Sequence, residues 1–439
     1  MSYVGKAVKK WVTLHGLLLG SLTFSIYASD DIQTWFLDDG TEVLLLEDYR
    51  APLVSIEINF NVNRLMPWSV DNSAQAAFAC QMFDSDRRIQ REIENSGVFV
   101  SASMGWGRAR IGGSSLAVDF PKLIGLIREV LENRDYSRKE MQKWQRDRII
   151  SWRSTTTNPR TILSQAAIKL VYPNGEDPRN ALYDQPPSFT RSAEKLARVR
   201  DTVLSAPNRN IAVSGSIDKE ALQESIRDLL PETSVSGQFN ETNGRPAAFI
   251  NAEPKTIELK NLNQVYMALV RDSLPFKHED YPAYLVVNQI LGGTFNSRLY
   301  ETLRHETGDT YSATLNSLFT TATRPGMLRL QTYTRVDNST ETERRLRSVL
   351  ENVHVDGVSK EEVESALAYL NGRLRFSKET PNQIVNRAAV NRVANLPSNH
   401  RELTLARAAE LSLVEINMFA RRYYDPAKFA FVKVIPESS

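Results

Sequence analysis

A chain of 439 residues is too long for one ordinary hydrophobic core, and two domains of roughly 200 residues each are the natural division. Its 41% hydrophobic and 24% charged residues are those of a globular chain, and 54 basic against 52 acidic residues leave a net charge of +2. That overall field is too weak to argue for nucleic acid or anionic lipid as a general partner, and the single cysteine, Cys80, excludes an internal disulfide.

In chain order, Lys6, Lys9 and Lys10 precede the run WVTLHGLLLGSLTFSIYA, which ends in small residues. This is the plan of a secretory signal over residues 1–28, with cleavage after Ala28 or Ser29 and a periplasmic mature chain. The same run approaches the roughly 20 residues that span a bilayer, so an N-terminal anchor is the alternative. Beyond Asp30 no segment is long and apolar enough to cross a membrane.

The next elements alternate strand and helix patterns. TEVLLLEDY and VSIEINFNV read as paired strands, SAQAAFACQMF and SDRRIQREIENSG as helices, and GVFVSASMG and RARIGGSSLAV again as strands. Much of this recurs later. ENSGVFVSA (from Glu94) and HETGDTYSA (from His305) both place Ser-Ala four and five residues after a glycine, and Gly97 and Gly308 are 211 residues apart. EVLENRDYSRKEM and SVLENVHVDGVSKEEV share Val-Leu-Glu-Asn, a loop and an S-x-x-E helix start, at Ser137 with Glu140 and at Ser359 with Glu362. NRNIAVSGSI and AKFAFVKVIP are closing strands after Pro207 and Pro426.

Three matches in the same order mark an internal duplication. The expected architecture is α+β: two homologous domains, each a largely antiparallel sheet with helices packed on one face. The N-terminal domain covers residues 31–233, a polar, Gly- and Pro-punctuated linker covers 234–256, and the C-terminal domain covers 257–439.

His305-Glu306 looks like the beginning of a zinc motif but does not continue as one. A zincin helix needs a second histidine four residues on, where Asp309 stands, and the inverted H-x-x-E-H form needs a Glu-His pair, which the chain lacks. The chain has only five histidines, His15, His278, His305, His354 and His400, and those beyond the leader are expected on surfaces or at helix ends.

LGGTFNSRLYETLRHETGDTYSA and APNRNIAVSGSID, with this order of elements, resemble the pitrilysin/insulinase family of zinc metallopeptidases, in particular its bacterial two-domain members. The resemblance runs from about Trp35 to Pro436. It implies that the helix SAQAAFACQMF stands where the family carries H-x-x-E-H, with Ala77, Cys80 and Gln81 at the positions of His, Glu and His. The family's third ligand, a glutamate, would fall within QRDRIISWRSTTTNPR, yet no carboxylate occurs from Arg148 to Gly175. Metal is therefore expected to be absent from this chain, and Cys80 is read as a core residue rather than a nucleophile, with no histidine near it in sequence.

In family members that divide the active site between two chains, one chain carries the zinc motif and the other an Arg-x6-Tyr pair. Arg304 and Tyr311 match that pair. The resemblance thus implies the zinc-motif-lacking subunit of a heterodimer, which binds peptide and donates hydrogen bonds in trans to the peptide carbonyl oxygen that gains negative charge during hydrolysis at the zinc of an H-x-x-E-H partner. The competing readings are that Arg304 pairs with Glu301 or Glu306 while Tyr311 fills a sheet position, and that the chain is a non-catalytic scaffold or a homodimeric peptide-binding protein. Val100 stands at the position of Tyr311 in the first copy, so the tyrosine belongs to one copy only.

Overall fold

The structure, a computed structural model, describes residues 31–62, 87–104, 108–133, 137–172, 192–231, 253–305, 310 and 312–437. The leader, the helix expected around Ala77, Cys80 and Gln81, most of the linker, Gly308 and Tyr311 lie outside these residues.

The first sheet holds β1 (Gln33–Phe36), β2 (Glu42–Glu47), β3 (Leu53–Asn61), β4 (Phe99–Met104), β5 (Arg108–Leu116) and β6 (Arg209–Gly215), in the order β1-β2-β6-β3-β5-β4. The second holds β7 (Lys255–Leu259), β8 (Gln264–Asp272), β9 (Ala313–Leu318), β10 (Met327–Arg335) and β11 (Ala430–Pro436), in the order β7-β11-β8-β10-β9. Without β1, the two orders superimpose strand for strand. The directions agree as well: β2 with β6 and β7 with β11 are parallel, and every other pair is antiparallel. The duplication read from three short sequence matches is thus a duplication of topology.

The helices of the first half are α1 (Arg87–Ser96), α2 (Phe120–Glu132), α3 (Arg138–Thr156), α4 (Pro159–Val171), α5 (Ala193–Leu204) and α6 (Lys219–Ile226). Those of the second are α7 (Tyr281–Gly292), α8 (Ser339–Val355), α9 (Lys360–Phe376), α10 (Pro381–Val393), α11 (His400–Glu410) and α12 (Leu413–Tyr423). Of the two expected helix starts, Ser359 and Glu362 close a capping box in both directions, whereas at Ser137 only the serine Oγ accepts, from Glu140 N–H at 3.3 Å. Among the described residues no helix is long and apolar enough to cross a membrane.

Most helices of each half cover one face of its own sheet, as expected. The opposite face is covered by a helix from the other half. Val43 and Leu45 of β2 join the first half's own core with α2, while Leu44 and Leu46, pointing the other way, pack with Ile384, Val385, Ala388 and Ala389 of α10. Reciprocally, Val265, Met267 and Leu269 of β8 face α7, α8 and α12, and Ala268 and Val270 face Leu163, Ala166, Ala167 and Val171 of α4. Burial on both faces is why VLLL in β2 reads as a continuous apolar run rather than an alternating one.

Polar bonds fix the exchange. Asn61 and Asn208 both donate to Val393 O (2.9 and 2.8 Å), Asn210 donates to Ala389 O (2.7 Å), and Arg392 pairs with Glu42 across the boundary. The Val393 carbonyl, at the C-terminal end of α10, lacks a partner within its helix, and the Asn61 and Asn208 amides supply one.

Candidate functional site

Helix α7 ends at Gly292-Gly293, and the close approach of Leu315 leaves no room for a side chain at Gly292. A Cβ on Gly292 would lie 2.4 Å from Leu315 Cβ of β9, and one on Gly293 2.3 Å from Gln289 Oε1. The Leu-Gly-Gly turn therefore lets the helix end abut the edge strand. The chain then forms a helical turn, Arg298–Tyr300, which widens into a π-type turn over Glu301–His305. The spacing of SRLYETLRHET suggests one regular helix, and the widened turn is the difference. Such turns displace side chains from their α-helical positions and recur at functional sites.

Arg298 anchors this segment. Its guanidinium makes a two-point ion pair with Glu362 (2.6 and 2.7 Å) and donates to Gly357 O at 2.9 Å, while Glu362 also accepts from Ser359 N–H at 2.8 Å. One carboxylate thus both caps α9 and clamps the turn. Burial alone would raise the Glu362 carboxyl, but the bonds from Arg298 and Ser359 outweigh it and hold it below the ordinary glutamate range. A carboxyl depressed on folding contributes stability that is present above its unfolded value and is lost as pH falls through its folded value. Glu362→Gln is accordingly expected to lower the thermal midpoint at neutral pH, and the gap from the parent should close as the pH drops below the ordinary carboxylate range. A gap that stays constant across a pH series of melts would show that the charge of Glu362 contributes nothing.

Arg304 lies on the widened turn, half-buried, with its guanidinium 4.9 Å from the Tyr300 ring centroid. Tyr300 is buried and meets the edge of Phe295 with centroids 4.9 Å apart, and Phe295 is 71% exposed at the loop tip. These three side chains form one wall of a cavity of about 970 Å³. Glu361, Ser365 and Tyr369 of α9 line another wall, and Ser312 to Thr314 lead from the cavity into β9. The Glu361 carboxyl is lowered by its own backbone N–H and by Ser359. The chain beyond the turn is held to it: Thr310 N–H donates to Leu303 O at 3.3 Å, and the Thr310 hydroxyl accepts from Ser312 N–H at 3.1 Å.

Of the residues singled out from sequence, Arg304 lines the cavity. Tyr311, Ala77, Cys80 and Gln81 lie outside the described residues. Sequence reading missed Tyr300 and Phe295, although Tyr300 stands four residues before Arg304, the spacing at which helical neighbours meet. It also treated Glu362 only as a cap.

Among the described residues no group of three or more His, Cys, Asp or Glu could hold a metal ion. No carboxylate occurs on α3 beyond Asp147 or on α4, and the aligned motif positions in the sequence offer only an alanine, a thiol and an amide. Three histidines sit at helix ends. His278 Nδ1 accepts from Asp280 N–H just before α7, His354 Nδ1 contacts Arg421 O from the last turn of α8, and His400 begins α11.

The chain is similar to several known proteins. A family model described as "Peptidase M16 inactive domain" matches residues 191–370. The "Uncharacterized zinc protease YmxG" of Bacillus subtilis is 25% identical over 172 residues, 39% of this chain and 41% of that protein. The "Non-peptidase homolog YmxG" of Helicobacter pylori is 25% identical over 217 residues, 47% and 50% of the two chains. The matches thus span about half the length of these curated relatives, or less.

Among solved structures, a peptidase M16 inactive domain from Pseudomonas fluorescens superimposes with a TM-score of 0.79 at 19% identity, covering 93% of this chain and 98% of that one. The periplasmic protease PqqL from Escherichia coli superimposes with a TM-score of 0.75 at 12% identity, over 93% of this chain and 46% of that one. The family model matches residues 191–370 and the fold is shared over nearly the whole length, so this chain resembles the inactive-domain members of the M16, or pitrilysin/insulinase, peptidase family.

Proposed function

We propose that this chain is the metal-free subunit of a two-subunit peptidase. It binds a peptide in the cavity beside Tyr300 and presents Arg304 and Tyr311 to a peptide bond held on an H-x-x-E-H-bearing partner of similar size, which supplies the zinc. The single observation that carries this reading is Arg304, held over an aromatic ring in a cavity of about 970 Å³, large enough for several side chains of an extended peptide. A guanidinium fixed in that way can donate to a carbonyl oxygen as it gains charge, without reorganising at the moment of reaction. Short or unfolded peptides are the substrate class.

In this proposal the halves 31–233 and 257–439, joined by the linker 234–256, form one clam-like shell and the partner forms the other. Removal of the leader would deliver the chain to the periplasm, and retention would anchor it there. The leader itself and the likeness to a protein described as a periplasmic protease support that location.

The scaffold reading is favoured by the relative named a non-peptidase homolog. The two readings part at the double variant Arg304→Ala/Tyr311→Phe: loss of the partner's activity supports a shared site, and unchanged activity supports a scaffold. Metal analysis of the purified chain is expected to find zinc far below one equivalent. One tightly held equivalent would overturn the assignment of the metal to the partner.

A further inference from the structure

Helix α3 is built unlike the rest of the molecule. Over 19 residues, Arg138 to Thr156, it buries only Met141 and carries six basic side chains against two acidic ones. Its counterpart in the second half, α9, buries a row of Val363, Ala366, Leu370 and Leu374 and balances three basic against three acidic residues. The duplicated fold therefore does not require the charge on α3.

Five of the exposed residues of α3 form a ridge. Lys139, Lys143, Arg146, Ile150 and Arg153 follow one another at intervals of four, three, four and three, and all are exposed, Ile150 by 63%. That spacing keeps them on one side of the helix over about 21 Å, and it is the spacing along which a second helix packs. Among the described residues no ion pair engages the four cations, whereas Arg148, exposed on another side of the helix, lies 5.3 Å from the Trp144 ring centroid.

We infer that this ridge is a docking surface for an acidic, helical polypeptide segment that carries carboxylates at the same spacing around an apolar residue that meets Ile150. The charge pattern selects this occupant. The ridge is one residue wide and flanked by Asp147, which a flat anionic membrane would repel, and a single exposed isoleucine gives too little apolar surface for insertion. The net charge of +2 gives no field for nucleic acid. The inference stands on α3 alone and is independent of the role proposed for Arg304.

The test uses the full-length chain and a synthetic helical peptide with glutamates at four-three spacing around a central leucine, and Trp144 and Trp152 of the same helix provide the fluorescence readout. Binding is expected at about 50 mM salt, with affinity falling about tenfold or more by about 300 mM. Lys139→Glu/Lys143→Glu/Arg146→Glu/Arg153→Glu should weaken it by about tenfold or more. The same four positions changed to glutamine should fall between that variant and the parent, and Arg373→Glu/Arg375→Glu on α9 should bind as the parent does. Circular dichroism checks that each variant is folded, and the glutamine set and the salt dependence carry the test if the reversed chain is not. Equal binding by all variants, no salt dependence, or binding to phosphatidylglycerol vesicles but not to the peptide would each overturn the inference.

Discussion

Arg304→Ala is expected to slow peptide cleavage by the reconstituted pair of subunits about a hundredfold, while the chain still folds and still binds its partner. Losing one preorganised donor to a developing oxyanion costs on the order of 3 kcal/mol, which sets that scale. Arg304→Lys should recover part of the loss, because it restores the charge without the planar fork that stacks on Tyr300. The effect should fall on kcat rather than on KM, since the interaction strengthens only as the carbonyl oxygen becomes anionic. A rise in KM at constant kcat would instead mean that Arg304 only holds peptide. Tyr300→Ala, which removes the ring under the guanidinium, should reproduce much of the defect without touching the charge.

Ile384→Ala is expected to destabilise the half of the molecule in which it does not lie. Ile384 belongs to α10, from the second half of the chain, yet its side chain packs with Leu44, Leu46 and Ala212 on the first sheet. Truncating a buried isoleucine costs about 2–5 kcal/mol. All six tryptophans occur at or before Trp152, so tryptophan fluorescence reports the first half alone. Its unfolding midpoint should nevertheless fall in Ile384→Ala, and Leu163→Ala on α4 should lower the stability of the second sheet in the same reciprocal way. One shared transition is the expected form, and independent transitions for the two halves would refute the interlock.

The reciprocal helices show where sequence reading succeeded and where it stopped. Strands β2 to β6 and β11 are legible because short apolar or alternating runs bounded by turns are local signals. The duplication is legible because Ser-Ala after a glycine, the Val-Leu-Glu-Asn runs and the closing strands recur in order. The clearest repeat escaped: PRTILSQAAIKLV in α4 and PNQIVNRAAVNRV in α10 share Pro, Ile, Ala-Ala and the final Val at identical spacing, after the N-caps Asn158 and Thr380. That repeat marks the two exchanged helices. What it packs against could not be read from it, because contact between Ala389 and a strand over 170 residues away leaves no local trace.

The site was legible in part. Arg304 was found through its spacing to Tyr311 and the neighbouring Leu-Gly-Gly turn. The π-type turn was not, because the same residue types satisfy either helical form and only the register of their backbone bonds differs. Nor was the double duty of Glu362, whose partner Arg298 is 64 residues away.

The most direct test of the shared site is peptide cleavage measured for this chain alone, for an H-x-x-E-H partner alone, and for their equimolar mixture at the same total zinc. The account predicts negligible turnover by the first, little by the second, and a rate in the mixture that rises with added chain until the stoichiometry is one to one. Full activity of the partner alone, unchanged by this chain, or turnover by this chain without a partner, would contradict it.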